Sequence, residues 1–169
     1  ARATEADTTA VSPPWRAQSS AMVAAEERTL QSGEVTLSGT LHVPKIGGRA
    51  PAVIVFHAAS SPTRNNPLYA HLAEMLPPLG IAVLVFDRRG SGKSGGKLEN
   101  ADYAILAEDG ISAQRMLAQD LRIDPRRIGF WGLSQGGWLS LLAASRSPQS
   151  AFAISVSAPM TTPDVQMNF

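Results

Sequence analysis

The sequence has 169 residues, of which 44% are hydrophobic, with a formal net charge of +1 and no cysteine. This length and apolar content are typical of one globular domain that buries a core. The charge balance favours neither a nucleic acid nor an anionic membrane surface as a partner. The lack of cysteine excludes disulfides, zinc–thiolate sites and a cysteine nucleophile, and no apolar run approaches the roughly 20 residues that span a bilayer.

The N-terminal stretch is polar and contains a Pro-Pro pair at Pro13 and Pro14. It predicts an irregular lead or linker over residues 1–20, with the domain occupying residues 21–169. The sequence begins with Ala1 instead of Met, as after removal of a secretory signal, but an arbitrary boundary would look the same. A secreted or periplasmic location is therefore a hypothesis that the sequence leaves open.

Two extended runs follow, near Glu26–Gln31 and Glu34–Val43, and Ser32 and Gly33 join them. Apolar side chains recur at alternate positions of the second run, which is typical of a strand with one buried face. The two runs therefore predict an antiparallel β-hairpin.

Four later runs are apolar without polar alternation, as in strands buried on both faces of a parallel sheet. They are Ala52–Phe56, Ile81–Phe86, Ile128–Trp131 and Phe152–Val156. Helical patterns separate them and extend from Asn66 to about Pro77, from about Asp102 to Gln119, and from Ser134 to about Ser145. This alternation predicts an α/β fold whose sheet is mostly parallel, with helices on both faces.

A G-x-S-x-G pentapeptide, Gly132-Leu133-Ser134-Gln135-Gly136, lies between one of these strands and a helix. The strand–turn–helix context is the one that a nucleophile elbow requires, and it makes Ser134 the candidate catalytic nucleophile. Gly132 and Gly136 flank the serine where a Cβ would collide with the strand or helix backbone. The Gln135 amide, at the helix start, is a candidate donor to an oxyanion.

A second oxyanion amide is expected from the loop after the strand Ala52–Phe56, and the backbone amide of Ala59 or of Ala58 is the candidate. His57 precedes the elbow, whereas sites of this kind supply their base after the serine, so we interpret His57 as a residue that shapes the loop. We interpret His42 and His71 as structural or solvated side chains.

The segment Asp87–Ser94 follows a strand and ends in Gly-Lys-Ser, like a phosphate-binding loop. The phosphate-binding pattern requires glycine where Asp87 stands, and a carboxylate there would repel phosphate. Two glycines follow instead of a helix, so no helix N-terminus would face a phosphate. We therefore predict no nucleotide site, and expect Arg88 or Arg89 to pair with Asp87 and order the loop.

With these pieces placed, the chain resembles the α/β-hydrolase superfamily over about residues 30–160. Within it, the chain is most similar to bacterial esterase- and peptidase-type members near the dienelactone hydrolase and acylaminoacyl-peptidase groups. The matching stretches are Glu34–Pro44, Val53–Ala59, Leu84–Gly96, Asp124–Gly137 and Ser157-Ala158-Pro159. One departure is Ala58, which stands where the family has the glycine of a His-Gly pair.

The resemblance implies a serine hydrolase that cleaves small-molecule carboxylic esters or related acyl compounds through an acyl-enzyme, without a metal or organic cofactor. In the family, the acid and the histidine of the catalytic triad follow strands that come after the position matching Phe169. Base and acid are therefore expected from the remainder of the same polypeptide, of which this chain is the partial domain, or from a second copy. A peptidase or amidase, an acyltransferase, and an inactive or binding fragment are the alternatives.

Overall fold

The computed structural model of the chain describes residues 23–45 and 47–167. The predicted lead at residues 1–20 lies outside these residues, and the domain boundary beside it stays a prediction. In the part of the chain that is described, each helix is too short or too polar to cross a membrane.

One mixed sheet contains the six strands of the described residues in the order β1-β2-β4-β3-β5-β6. The strands are β1 (Val23–Ser32), β2 (Val35–Pro44), β3 (Ala50–Phe56), β4 (Ala82–Phe86), β5 (Ile123–Leu133) and β6 (Ala153–Val156). The helices are α1 (Pro67–Met75), α2 (Tyr103–Ala118), α3 (Gln135–Arg146) and α4 (Pro163–Met167), with short 3-10 helices at Pro77–Leu79 and Leu98–Asn100. The predicted α/β fold is confirmed.

The predicted hairpin is present, since β1 pairs antiparallel with β2 through a register that closes at Ser32 opposite Val35. β2 continues the sheet by pairing antiparallel with β4. From there every pairing is parallel, β4 with β3, β3 with β5, and β5 with β6. The carboxyl ends of these four parallel strands therefore meet at one edge of the sheet.

The two faces of the sheet bury different residues of the same strands, because successive side chains of a strand point to opposite faces. On one face, Ile54 and Leu84 belong to a cluster that includes apolar residues of α2 and α3. On the other face, Val53 and Val83 pack with Tyr69 of α1. Helices therefore cover both faces, which explains why these strands are apolar without alternation.

Side-chain caps begin two of the helices where the sequence predicts. The Asn66 side chain accepts a hydrogen bond from the Leu68 amide at 3.0 Å, and the Asp102 side chain accepts one from the Ile105 amide at 2.8 Å. Such caps satisfy amides that have no partner within the helix. α1 is shorter than predicted, because it ends at Met75 and a 3-10 helix begins at Pro77.

The expected pairing of Asp87 with Arg88 or Arg89 is wrong. The Asp87 carboxylate accepts hydrogen bonds from the backbone amides of Arg64 and Lys93, each at 2.9 Å, and its nearest cationic group is the Arg64 guanidinium, 3.7 Å away. The Arg88 guanidinium instead donates to backbone carbonyls of the loop after β3. Arg89 instead donates to the buried carboxylate of Asp109.

Replacing Gly110 tests the packing of α2 on the sheet. A Cβ at this helical position would lie 2.1 Å from Cζ of the Phe56 ring. Alanine in place of glycine normally stabilises a helix by about 1 kcal/mol, but here we expect Gly110→Ala to lower the free energy of unfolding by roughly 1–3 kcal/mol through overpacking. Urea denaturation measures the difference.

Gly47→Ala is the control, because a Cβ at Gly47 has no atom within 4 Å. We expect its midpoint to stay at the wild-type value. A Gly110→Ala protein that is more stable than wild type would contradict this account of the packing.

Candidate active site

Ser134 lies between β5 and α3 in a backbone conformation that is strained for a residue with a side chain, at φ 53° and ψ −116°. Hydrogen bonds on both sides maintain it. The Ser134 amide donates to the Val156 carbonyl oxygen of β6 at 2.8 Å, and the Ser134 carbonyl accepts from the Gly137 amide at 2.8 Å. The side chain is exposed. Such strain persists only where the surrounding structure determines it, and it concentrates at functional sites.

The glycines beside Ser134 permit two backbone approaches that no other residue would allow. A Cβ on Gly132 would lie 1.8 Å from the Gly136 carbonyl oxygen. A Cβ on Gly136 would lie 2.4 Å from the Phe56 carbonyl oxygen and 2.8 Å from that of His57. The turn that carries Ser134 is therefore packed directly against the end of β3, where the loop with the predicted oxyanion amides begins.

The two candidate amides of this loop differ in the structure. The Ala58 amide donates to the Tyr69 hydroxyl at 2.8 Å, and that hydroxyl donates to the Ser61 carbonyl at 2.9 Å. The Ala59 amide donates to no acceptor among the hydrogen bonds of the described residues. Ala59 is also exposed, whereas Ala58 is buried. Of the two, Ala59 is the amide left available for a ligand.

Ala58 occupies the family's glycine position without backbone strain. Among the non-glycine residues that the structure describes, Ser134 and Ser157 are the ones with positive φ. Ala58 therefore does not adopt the left-handed conformation that would favour a glycine at this position.

Arg88 is a site residue whose role the sequence did not reveal. Arg88 is the second residue after β4, and its buried guanidinium reaches the loop after β3. Its Nη2 atom donates to the carbonyls of His57 and Ala58, at 3.0 and 2.8 Å, and its Nη1 atom donates to the carbonyl of Ala59 at 3.3 Å. Burial lowers the pKa of this guanidinium from its usual value. In the sequence, the only signal is an arginine close behind a buried strand.

His57 is buried beneath the same loop. Its ring packs edge-on against Tyr69, with centroids 4.9 Å apart, and against Phe86 at 5.5 Å. Burial and then the charge of Arg88 lower the pKa of His57 to about 3, although a hydrogen bond with the Phe86 backbone opposes this. The imidazole is therefore neutral near pH 7 and resists protonation, which does not suit a general base.

The other two histidines lie on elements that do not carry the Ser134 turn. His42 is half-buried within β2, where burial lowers its pKa, and His71 is exposed on α1. Their interpretation as structural or solvated side chains stays a prediction. In the described residues, no group of three or more His, Cys, Asp and Glu side chains is arranged to hold a metal ion.

Aromatic side chains lie next to the Ser134 turn. The Gln135 side chain donates from Nε2 to the Tyr103 hydroxyl at 3.3 Å, and the Tyr103 ring meets that of Trp138 edge-on, with centroids 6.1 Å apart. Trp138 Nε1 in turn donates to the carbonyls of Pro159 and Thr161 at 3.0 and 2.9 Å. The chain after β6 is therefore attached to α3 beside an aromatic pair, which sequence analysis did not single out.

Comparison with known proteins places the chain in a family. Residues 51–169 match the family model described as serine aminopeptidase, S33. The thiohydrolase aneE of Aspergillus aculeatus is 32% identical over an alignment that covers 78% of this chain and 42% of the relative. The chain spans less than half the length of the curated relatives that it matches, 36% in the case of a relative from Mycobacterium tuberculosis.

Solved structures agree on the fold. The α/β hydrolase GrgF from a Penicillium species is 27% identical with a TM-score of 0.70, and the match covers 86% of this chain and 50% of that one. An esterase from Pyrococcus furiosus is 25% identical with a TM-score of 0.70, covering 82% and 50%. The suspected superfamily and the predicted sheet are thereby confirmed.

Removal of the Tyr69 hydroxyl tests the support of the Ala58 amide. Tyr69→Phe leaves a buried donor at Ala58 and a buried acceptor at Ser61 without their partner. We expect the free energy of unfolding to fall by roughly 1–3 kcal/mol, measured by urea denaturation. Tyr103→Phe is the matched control, since its hydroxyl accepts one long hydrogen bond at 3.3 Å, and an equal loss in both variants would contradict the account.

The lowered pKa of His57 predicts that the free energy of unfolding depends on pH. Because the folded-state pKa of about 3 lies below the ordinary value of 6.5, the unfolded chain binds a proton first as the pH falls. The stability that His57 contributes is therefore complete above about pH 6.5 and is lost as the pH falls towards 3. We expect urea midpoints to drop between pH 7.5 and 5, and to drop less in His57→Gln.

His71→Gln provides the control for that experiment, because His71 is exposed on α1. Its midpoints should follow the wild-type pH dependence. A His57→Gln protein with the same pH dependence as wild type would show that His57 titrates normally in the fold.

Proposed function

The chain belongs to the serine aminopeptidase (S33) family of α/β hydrolases, and from that premise we propose that it carries the nucleophile of a serine hydrolase, with Ser134 in that role. Its substrates are carboxylic esters or related acyl compounds, which it cleaves through an acyl-enzyme. Because the chain spans part of its relatives, the proposal concerns the whole protein to which these residues contribute.

The conformation of Ser134 is the observation that carries this proposal. A serine that merely starts a helix adopts a relaxed backbone, and its hydroxyl accepts a hydrogen bond from the first turn. Ser134 holds the N-cap position of α3, yet its φ is 53° and its side chain makes no capping hydrogen bond. A strained backbone and an exposed, uncommitted hydroxyl at the carboxyl edge of a parallel sheet are what a nucleophile needs.

The proposed reaction has two stages. Ser134 Oγ attacks the acyl carbon while a base takes its proton, and the carbonyl oxygen becomes an oxyanion bound by the amides of Gln135 and Ala59. Collapse of this intermediate forms the acyl-enzyme and breaks the bond to the alcohol, which leaves with the proton. Water then attacks the acyl-enzyme by the same route and releases the acid and free Ser134.

The base and the acid come from outside these residues in this proposal. His57 is buried with a pKa of about 3, and His42 lies opposite Val83, near the amino end of β4. His71 lies within α1, and the hydrogen bonds of the described residues include none between it and Ser134. Among the described strands β6 pairs with β5 alone, and Ile154 in β6 is 45% exposed. Further strands of the same polypeptide beside β6, or a second copy of the chain, would bring the base to this edge.

The surroundings of Ser134 favour an acyl group with apolar character. Tyr103 and Trp138 form an aromatic wall next to Gln135, the residue that follows the nucleophile. Apolar walls with few polar groups are typical of small-molecule sites. Two of the similar proteins are described as a thiohydrolase and an esterase, so we favour oxygen and thiol esters over amides.

A fluorophosphonate probe tests the proposal on the complete gene product. We expect one covalent adduct per molecule, detected by intact mass spectrometry, because the probe phosphonylates an activated serine with loss of fluoride. Ser134→Ala should abolish both the adduct and hydrolysis of p-nitrophenyl esters.

The matched control is Ser157→Ala. Ser157 is also exposed and has the same φ of 53° at the end of β6, so backbone strain and exposure are similar at the two serines. We expect this variant to be labelled like wild type. A wild-type protein that remains unlabelled, or an adduct that persists in Ser134→Ala, would overturn the proposed nucleophile.

A further inference from the structure

We propose that Arg88 is a positioning residue for the oxyanion site, and that its guanidinium orients the His57–Ala59 loop so that the Ala59 amide faces the reacting carbonyl. The inference rests on the proposed function and adds to it a residue that touches neither substrate nor nucleophile. Three successive carbonyls of the loop accept hydrogen bonds from this one side chain, those of His57, Ala58 and Ala59.

Because the peptide bond is planar, these contacts to the carbonyls also determine the directions of the amides that follow them. In a planar trans peptide, the carbonyl of one residue and the amide of the next point in opposite directions. The Ala58 carbonyl points at Arg88 Nη2, 2.8 Å away, so the Ala59 amide points away from Arg88. The same rule holds one peptide earlier.

That earlier peptide provides an internal check. The His57 carbonyl also points at Arg88 Nη2, at 3.0 Å, so the Ala58 amide must point to the other side. It does so, because it donates to the Tyr69 hydroxyl at 2.8 Å. Arg88 and Tyr69 therefore hold the loop from opposite sides, and the Ala59 amide is the one directed away from Arg88 without a partner among the described residues.

The charge of Arg88 has a second effect on the same amide. A carbonyl that accepts from a cation is polarised, and polarisation along a chain of hydrogen bonds strengthens the next donor. The Ala58–Ala59 peptide accepts from the guanidinium at its oxygen and offers its N–H at the other end. Arg88 therefore both directs the Ala59 amide and makes it a stronger donor to a developing oxyanion.

The surroundings of Arg88 favour a functional role over simple adhesion between loops. Its side chain is buried, and the ion pairs of the described residues include no carboxylate partner for it. A buried cation that is bound mainly by neutral carbonyls costs stability. The other two arginines of this region, Arg64 and Arg89, both pair with carboxylates, as is usual for a structural arginine.

The test compares Arg88→Met with Arg64→Met in the complete gene product. Arg64 is a matched control, because its side chain is also buried, at 6% exposure, but contacts Glu27 and Asp87 instead of the His57–Ala59 loop. Three quantities are measured on the folded protein: kcat and KM for a p-nitrophenyl ester, and the affinity for an aryl trifluoromethyl ketone. The ketone forms a tetrahedral adduct with a catalytic serine and so reports oxyanion binding.

We expect Arg88→Met to lower kcat roughly 10- to 100-fold with KM nearly unchanged, because misplacing a donor costs up to about 100-fold and less than the roughly 100- to 1,000-fold that follows its removal. Affinity for the ketone should fall by the same factor. Arg88→Lys, which keeps the charge but not the planar fork of donors, should restore part of both losses. Arg64→Met should shift the urea midpoint and leave kcat and ketone affinity near the wild-type values.

Two results would overturn the inference in distinguishable ways. If wild type turns over the ester and binds the ketone, but Arg88→Met does both equally well or loses them only as Arg64→Met does, Arg88 is structural and the proposed function stands. If wild type neither turns over the ester nor binds the ketone, the proposed function fails and the inference fails with it. Should Arg88→Met not fold, the kcat and ketone affinity of Arg88→Lys decide between these outcomes.

Discussion

The close contact between the Ser134 turn and the end of β3 is the constraint on which the rest of the site depends. Gly136 lies so near the carbonyl oxygens of Phe56 and His57 that a Cβ would have no room. Because β3 and β5 pair in parallel, with Phe56 opposite Gly132, both strands deliver their following turns to the same edge of the sheet. The serine and the loop that begins at His57 are thereby brought together by backbone alone.

Buried side chains then give this loop its shape. The loop has few hydrogen bonds of its own, and its peptide groups are instead bound by Tyr69 of α1 on one side and Arg88 on the other. His57 fills the space beneath it and is held neutral by burial. Stability and function are linked here, because the contacts that order the loop also decide which of its amides stays available.

Much of the fold was predictable from residue patterns. Strands buried on both faces are apolar throughout, and caps such as Asn66 and Asp102 mark helix starts by local chemistry. The Ser134 turn could also be found, since its glycines and flanking elements are contiguous in sequence. Arg88 could not, because its partners lie about 30 residues earlier in the chain. The prediction that it pairs with Asp87 considered only neighbouring residues, whereas the Asp87 carboxylate binds the backbone amides of Arg64 and Lys93.

By itself, the sequence determined the α/β alternation, the hairpin, and the position of a serine in a turn that tolerates only glycine at its flanks. These are local properties of spacing, polarity and steric size. Only the tertiary structure decided between the amides of Ala58 and Ala59, because the choice depends on which one the Tyr69 hydroxyl occupies. It also showed that His57 is buried with a lowered pKa and that Arg88 binds three carbonyls of the loop, since burial and hydrogen-bond partners arise when distant segments pack together.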